Sequence, residues 1–369
     1  MWRSLTSPYY RYRNAKVIHS VRVGLAMLAS ILATTGIDIP HGIWASVTLL
    51  VVIGGLQHHG NIRKKAAERA LGTLLGAAIG LVLIVVQAAT GSAPLTYALM
   101  SLAAAVCGYY AIGKPGYVAL LAAITMCIVA GHGDNLIDTG LWRTLNVMIG
   151  IVIALAFSFA LPLHATYSWR YRLADNLREC ARMYAQAANG EHVDADEQAQ
   201  TFMRLNARLV QLRGLMPSVA REIDVPLARL EQVQRLHRSI LSALEMLSTG
   251  TGGYEQALVR VAFAERGDTV RRALLATARA LRFGGGRQPG AAAQALRTAV
   301  ANGRGRVGDG RGASAGALPE AAGGALAPQM QGPYWLSLRV EEQVERLRAL
   351  LLDIEPRWNI ERAASHRMV

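Results

Sequence analysis

The chain has 369 residues, of which 52% are hydrophobic and 17% are charged, and its formal net charge at pH 7 is +14. In a soluble protein this charge would indicate nucleic-acid binding. Much of the excess positive charge, however, lies beside long apolar segments. The preference of Lys and Arg for the cytoplasmic side of a membrane and their attraction to anionic lipid explain charge in such places. We therefore expect no nucleic-acid partner. The three cysteines suggest neither a disulfide framework nor a zinc site, and we expect no metal and no other cofactor.

Six apolar segments follow one another in the first half of the chain, and each is predicted to be a transmembrane helix. A helix rises about 1.5 Å per residue, so about 20 apolar residues match a hydrocarbon core of roughly 30 Å. A single segment of this kind is compatible with a signal peptide or a core helix, whereas six in tandem indicate a polytopic membrane protein. The predicted spans are 18–37, 41–57, 70–89, 94–112, 116–130 and 141–163.

The basic residues between these segments predict that both termini are cytoplasmic. They concentrate in the N-terminal arm, in the second and fourth loops and after the last span, as at Lys16, Lys65 and Arg170. The other three loops carry little positive charge, and the positive-inside rule therefore places them across the membrane. The alternative is a cleaved signal peptide that ends near Thr35, but its removal would take away the basic arm and spoil this pattern.

The second half of the chain is predicted to be an amphipathic helical domain, so the whole protein is expected to be all-α. The domain's second helix should weaken at Gly214 and Pro217, and its fourth should run from Tyr254 to Phe283. No glycine motif of a nucleotide-binding fold follows a strand, so we predict no built-in ATP drive.

Five regions are therefore predicted along the chain. The Gly- and Ala-rich region before the last helix has too few large apolar residues to offset the entropy lost on ordering, so it is interpreted as a flexible linker. Within it, a short helix is predicted at 291–301. In order, the regions are a cytoplasmic arm (1–17), the six-helix transmembrane domain (18–164), a cytoplasmic helical domain (165–284), the linker (285–333) and a C-terminal helix with its tail (334–369).

A weak internal similarity links the third and sixth spans. The third begins R-A-L-G-T-L-L-G at Arg69 and the sixth R-T-L-N-V-M-I-G at Arg143, so arginine, leucine and glycine recur at the same offsets. Because three helices are an odd number, two such repeats would cross the bilayer in opposite directions. This pattern predicts a three-plus-three inverted repeat, an arrangement in which two halves of a transporter exchange conformations around a central site.

Three arginines are the candidate substrate-binding residues. Arg22 lies inside the first span, while Arg69 and Arg143 stand at the starts of the third and sixth. The protein's own carboxylates in this half lie at the edges of the spans, so none inside a span is available to pair with these arginines. A guanidinium group pairs well with the carboxylate of a ligand, and we therefore predict that the transported species is an anion. The alternative is that these arginines only anchor the helices by reaching the headgroups.

A small-residue seam is predicted on the third span. Gly72, Gly76 and Gly80 are four residues apart and share one helical face, with Thr73 beside them. Such spacing lets helix backbones approach closely in a membrane. The functional interpretation is a seam that lines the permeation route, and the alternative is helix packing alone.

One set of residues carries a resemblance to a known family: Val21-Arg22-Val23, Ile39-Pro40, Trp44, the segment from Glu68 to Thr73, Gly76, Gly80 and Trp142-Arg143. In this combination they resemble the fusaric-acid-resistance-like (FUSC) family, the bacterial inner-membrane group that includes aromatic acid exporters. The resemblance implies an inner-membrane exporter of aromatic or other organic acids, with a periplasmic adaptor protein in some members. By this resemblance, five residues occupy positions of the family's sequence motif: Arg22, Arg69, Gly72, Thr73 and Gly76.

The predicted function is therefore outward transport of organic anions, in particular aromatic carboxylates. Since the chain has one set of six spans and a shorter tail than the long exporters, we expect a homodimer. The alternative is a non-transporting membrane scaffold or sensor whose cytoplasmic helices bind a partner. We predict no catalytic residue, because no nucleophile–base pair supports an enzyme.

Overall fold

The computed structural model describes residues 7–54, 59–113, 116–131, 136–264, 267–284 and 327–359, with side chains of the helix that starts at residue 59 described from Lys64 onward. These residues are all helical or irregular and contain no strand. The chain divides into two compact units, Met1–Tyr167 and Ser168–Val369. The predicted short helix at 291–301 and most of the predicted linker lie outside the described residues.

The first unit contains a series of apolar helices. Pro8 and Pro94 fall in the first turns of two of them, where proline does not remove a needed hydrogen bond. The helices are α1 (Pro8–Arg13), α2 (Ala15–Gly36), α3 (Ile43–Ile53), α4 (His59–Thr90), α5 (Ala93–Ala111), α6 (Gly116–Ala130) and α7 (Ile137–Ala160).

Four of these helices are long and apolar enough to cross a membrane: Ala15–Gly36, Lys64–Thr90, Ala93–Ala111 and Ile137–Ala160. They match the first, third, fourth and sixth predicted spans. The second and fifth predicted spans contain apolar helices of 11 and 15 residues. Eleven residues rise only about 16 Å, roughly half of a hydrocarbon core.

The turn before α3 explains where that helix begins. Asp38 and His41 adopt left-handed conformations with φ of 52° and 61°, which non-glycine residues seldom adopt. Gly42 then passes so close to Thr34 that a Cβ at this position would lie 2.6 Å from the Thr34 Cβ. Because of this turn, the helix begins at Ile43, two residues after the predicted start at residue 41.

The surface of the first unit is that of a membrane protein. Large aliphatic side chains point outward from several of its helices, and Leu32, Val82, Leu102 and Val152 are each 61–62% exposed. So many exposed large aliphatic side chains are unusual in a soluble monomer and are expected where lipid covers the helices. Together with the four long apolar helices, it identifies the chain as a membrane protein.

The interior of the first unit has two groups of packed helices. α2, α3 and α7 pack against one another, and α4, α5 and α6 form a second mutually packed group, while α4 also packs against α7. The first group buries Ala26, Leu49, Val52, Ile53, Val147, Ile151 and Ala154, together with Ala66 of α4. The second buries Leu83, Met126 and Ala130 against Leu99, Met100 and Ala103.

The second unit is also helical, and the unit boundary falls inside its first helix. Its polar interior ties the last helices to the first, because Tyr184 Oη and Ser337 Oγ lie 2.6 Å apart and the buried Arg170 guanidinium stacks 4.6 Å from the Trp358 ring. The helices are α8 (Ala165–Ala188), α9 (Ala195–Glu222), α10 (Leu227–Thr251), α11 (Gln256–Phe263), α12 (Gly267–Phe283), α13 (Gln331–Asp353) and α14 (Glu355–Trp358).

Three details of this unit differ from the sequence predictions. α9 continues through Pro217, because Met216 and Val219 are buried and tertiary packing outweighs helix propensity. The helix predicted from Tyr254 to Phe283 is two helices, and the second starts at Gly267, a residue poorly suited to a helix interior. α13 begins at Gln331, three residues before the predicted start, because Pro333 is tolerated in its first turn.

Candidate functional site

Arg22 is fully buried in α2 and bonds to a neighbouring histidine. Its Nη2 donates to His19 Nδ1 at 2.9 Å, and His19 Nε2 donates to the Gly54 carbonyl at 3.2 Å. This arrangement requires the neutral Nε2–H tautomer of His19. Among the described residues, Arg22 Nε and Nη1 have no hydrogen-bond partner although both are buried. Arg22 is therefore enclosed by the protein, with two of its guanidinium nitrogens unpaired among the described residues.

Arg69 is buried in α4 and reaches α3. The side chain is 3% exposed, and its Nη2 donates to Thr48 Oγ1 at 3.5 Å, the outer limit of a hydrogen bond. Its Nε is buried without a partner in the described part of the chain. Arg69 thus retains unused donor capacity inside the first unit.

Arg143 is half-buried in α7, six residues after the first residue of that helix, and reaches α6. Its Nη1 donates to the Ile128 carbonyl, and its buried Nε has no partner among the described residues. One turn further along α7, Asn146 donates from Nδ2 to the Pro40 carbonyl and to the Trp142 carbonyl, both at 2.8 Å. Asn146 therefore holds the turn before α3 against α7, close to Arg143.

The three arginines do not form one cluster. Within the described ranges, no hydrogen bond or ion pair joins any two of them, and none pairs with a carboxylate there. Arg22, through His19, reaches the Gly54 carbonyl just after the end of α3, and Arg69 reaches Thr48 within α3. Arg143 instead contacts α6. No group of three His, Cys, Asp or Glu residues able to hold a metal occurs among the described residues. Each of the three guanidinium groups therefore keeps at least one N–H donor without a partner among the described residues.

The predicted glycine seam of α4 lies against α6. A Cβ at Gly76 would stand 2.3 Å from the Ala122 carbonyl oxygen and 2.7 Å from Thr125 Cβ, and Cβ atoms at Gly72 and Gly80 would also come within 3.0 Å of α6. Only glycine permits this backbone approach. Thr73 beside the seam is buried, and its hydroxyl has no partner among the described residues.

A contact with nearly the same geometry joins α7 to α3. A Cβ at Gly150 would stand 2.3 Å from the Ala45 carbonyl oxygen and 3.0 Å from Thr48 Cβ. In both contacts the glycine meets an alanine carbonyl and the threonine three residues later. Gly150 follows Arg143 by seven residues, as Gly76 follows Arg69.

Sequence reasoning did not single out several residues of this region. His19 stands three residues before Arg22 and so shares its helical face, which was a usable signal. Thr48 and Thr125 are both buried, and the Thr125 hydroxyl has no partner among the described residues. The sequence does contain a pattern that could have identified these threonines. On each of the two short apolar helices an alanine is followed three residues later by a threonine, as Ala45 by Thr48 and Ala122 by Thr125.

Comparison with known proteins gives the family. Residues 16–367 match the family described as the fusaric acid resistance protein family (FUSC). The chain belongs to this family. It is also similar to the inner membrane protein YeeA of Escherichia coli (strain K12), with 33% identity over 235 residues. That match covers 64% of this chain and 66% of YeeA, slightly less than two thirds of the relative's length. Membership of FUSC suggests a membrane transport or efflux function.

The FUSC chain also has a pocket beside Arg143. It is an open depression with a volume of about 520 Å³. Apart from the guanidinium group, its lining is apolar or weakly polar. The lining residues are Trp44 from α3, Ala123, Ile124, Cys127 and Ile128 from α6, and Arg143 from α7.

Proposed function

We propose that this FUSC protein exports organic anions, in particular aromatic carboxylates, across the bacterial inner membrane. The observation that carries the proposal is the set of three arginines, Arg22, Arg69 and Arg143, that lie in an apolar helical unit with buried N–H groups left without partners. An isolated charge in such surroundings is costly. A carboxylate ligand would accept hydrogen bonds from these groups and offset that cost.

An anion fits these arginines better than a cation or a neutral solute. The described contacts of the three guanidinium groups are to a histidine, a threonine and a backbone carbonyl, and none supplies a counter-charge. Charge-assisted hydrogen bonds are the strong class in proteins, and the planar guanidinium group binds a carboxylate through two parallel bonds. A cationic substrate would meet uncompensated positive charge at each position.

The two glycine contacts support the three-plus-three inverted repeat. In the proposed repeat α2, α3 and α4 correspond to α5, α6 and α7, so Gly76 corresponds to Gly150 and Arg69 to Arg143. Each glycine packs on the middle helix of the other repeat, and each arginine bonds to the middle helix of its own. Corresponding helix pairs also pack, as α2 on α3 and α5 on α6 do.

The repeat also supports six spans, because the two short helices α3 and α6 occupy corresponding positions. With six spans and the basic loops on one side, both termini are cytoplasmic. Two halves related in this way can exchange conformations, so that the surroundings of Arg69 and Arg143 alternate between two states. The inner-membrane location is supported by the similarity to YeeA, an inner membrane protein of Escherichia coli. We further propose a homodimer, with a periplasmic adaptor as a candidate partner.

Flux through the purified protein in proteoliposomes tests the function. Benzoate is presented at a pH far above its pKa, so that little neutral acid leaks through the lipid, and protein-free liposomes give the background. We expect saturable benzoate flux that falls when Arg69 is replaced by glutamine. A scaffold or sensor, the alternative function, would give no flux above background with any organic anion.

A further inference from the structure

Two helices of the second unit, α10 and α13, form an open groove that is rich in arginine. The helices pack against each other, and the groove along them has a volume of about 780 Å³. Four guanidinium groups and two carboxylates line it, so the lining carries two excess positive charges. The charged lining residues are Arg229, Arg235, Arg339, Arg346, Glu342 and Asp353.

Two contacts across the groove show how the helices are aligned. Gln343 Nε2 donates to Ser239 Oγ at 2.8 Å, and Arg229 Nη2 lies 4.0 Å from Asp353 Oδ2. The earlier residue of α10 thus meets the later residue of α13, so the two helices run antiparallel. Each position on one helix can therefore be matched to a position on the other.

Arg235 and Arg346 lie at nearly the same level of the groove, on opposite helices. Arg235 precedes Ser239 by four residues, which is about 6 Å along α10. Arg346 follows Gln343 by three residues, which is about 4.5 Å in the same direction along α13. Arg235 has no hydrogen-bond or ion-pair partner among the described residues. Like charges that face each other repel, and an anion between them removes that repulsion.

The carboxylate of Glu342 is shared between two arginines of the groove. Its Oε1 accepts a hydrogen bond from Arg346 and its Oε2 accepts one from Arg339. The Arg339 and Arg346 side chains are 52% and 67% exposed, so a ligand in the groove can reach their guanidinium groups. Exposed ion pairs contribute little to stability. Glu342 is therefore an internal competitor that a stronger anion can displace.

A hydroxyl group adds a further donor beside these arginines. Ser239 Oγ accepts from Gln343 and donates to no described residue, so its O–H is available to a ligand. The side chains of Leu236, Ala349 and Leu350 give the groove an apolar part next to its charged part.

This set of donors matches a phosphate group better than a carboxylate. A phosphate monoester carries a charge of about −1.5 to −2 at pH 7 and three strong acceptor oxygens, which balances the two excess positive charges of the lining. Guanidinium groups bind phosphate through two parallel hydrogen bonds. A monocarboxylate has one negative charge and two oxygens, so it would leave part of the positive charge uncompensated. The apolar part of the groove fits the organic group of an ester.

We propose that the groove between α10 and α13 binds a phosphate monoester through Arg235, Arg346 and Ser239, in competition with Glu342. The site lies in the second unit and uses none of the three arginines assigned to transport, so it stands whether or not the protein transports an organic anion. Two sources share the ligand chemistry: a soluble organic phosphate and the headgroup of phosphatidic acid.

Isothermal titration calorimetry tests the site, with phenyl phosphate as the probe and the full-length protein in phosphatidylcholine nanodiscs at physiological ionic strength. Arg235→Gln and Arg346→Gln should each raise the Kd by roughly ten- to hundredfold, as expected for a lost charge-assisted hydrogen bond. Arg238→Gln is the matched control, because Arg238 is an exposed arginine of the same helix that does not line the groove. Salt screens such a charge, so this variant should leave the Kd nearly unchanged.

Glu342→Gln gives the sharpest result, because it should improve binding. It removes the competing carboxylate and frees two guanidinium groups, so the Kd of phenyl phosphate should fall by roughly two- to tenfold, the range expected when surface ion pairs are released. A misfolded variant would lose affinity, so a gain cannot arise from damage to the fold. Weaker or unchanged binding by Glu342→Gln would overturn its role as a competitor.

Three other outcomes would overturn the site. They are an absence of saturable binding by the native protein, an equal Kd in the native, Arg235→Gln and Arg346→Gln proteins, and an equal loss of affinity in Arg238→Gln, which would indicate only the overall positive charge. Benzoate that binds the groove as tightly as phenyl phosphate would overturn the assignment to phosphate.

The lipid composition of the nanodisc distinguishes the two sources of the ligand. If phosphatidic acid raises the apparent Kd of phenyl phosphate and the same fraction of phosphatidylserine does not, the groove binds the lipid headgroup. If neither lipid changes the Kd, the groove binds a soluble phosphate ester.

Discussion

The contact between α4 and α6 leaves no room for a methyl group at Gly76. The Cβ of Gly76→Ala would lie 2.3 Å from the Ala122 carbonyl oxygen and 2.7 Å from Thr125 Cβ. Neither neighbour can rotate away, because the first is helix backbone and the second is attached directly to it. The two helices must therefore separate by roughly 1 Å, and a gap of that size forfeits about a quarter to a half of the dispersion energy of each contact across it.

We expect Gly76→Ala to lower the stability of the protein by about 1–3 kcal/mol, the usual cost of overpacking. For a unit of this size, about 1 kcal/mol shifts the unfolding midpoint by roughly 2–4 °C. The measurement is the apparent unfolding temperature of the full-length protein in detergent, followed by fluorescence-detected gel filtration at a fixed heating time. Gly150→Ala should give a similar decrease, because its Cβ would also lie 2.3 Å from a carbonyl oxygen.

The matched control is Gly108→Ala in α5, where a Cβ would have nothing within 4 Å. Alanine is the better helix former by about 1 kcal/mol, so this variant should be as stable as the native protein or more stable. An unchanged unfolding temperature for Gly76→Ala, with Gly108→Ala also unchanged, would refute the close approach of α4 to α6. A large effect at Gly76 and none at Gly150 would refute the repeat.

Three further predictions concern recognition, topology and pH. Arg69→Lys keeps the charge but loses the planar fork, so the half-saturating benzoate concentration for transport should rise by roughly ten- to hundredfold while expression is unchanged; an anchoring arginine would tolerate lysine. Reporter fusions at Gly133 and Val369 should report opposite sides of the membrane, and agreement between them would contradict six spans. Burial lowers the pKa of His237 from 6.5 to about 4, so the unfolded state takes up the proton first, and stability should fall as the pH drops from about 6.5 toward 4. In parallel melts across this range, His237→Gln should reduce that dependence, and an equal pH dependence in both proteins would exclude His237 as its source.

Much of the helical architecture could be predicted from the sequence, because apolar helices in a membrane leave a strong and continuous signal. The four long helices and the packing helix faces of the second unit follow from hydropathy and from apolar spacing. Helix ends were less predictable. The start of α3 depends on left-handed residues at Asp38 and His41, and the continuity of α9 through Pro217 depends on tertiary packing.

The candidate site could be predicted only in part. Charge within apolar sequence pointed to Arg22, but its hydrogen bond to His19 required the helical register as well. The spacing of Gly72, Gly76 and Gly80 indicated a shared face, yet the identity of α6 as the partner depends on tertiary structure. The pocket of Trp44 and Arg143 joins residues of three helices, and a single sequence carries no information on that proximity.

The central claim is that the arginines of the first unit carry an organic anion across the membrane. The most direct measurement compares benzoate with benzamide, its neutral relative of similar shape, in proteoliposomes of the native protein and of a protein in which Arg22, Arg69 and Arg143 are all replaced by glutamine. The native protein should transport benzoate in a saturable manner and should discriminate against benzamide, and the variant, if still folded by gel filtration, should lose benzoate transport. Equal benzoate flux through the native and the folded variant protein would contradict the claim.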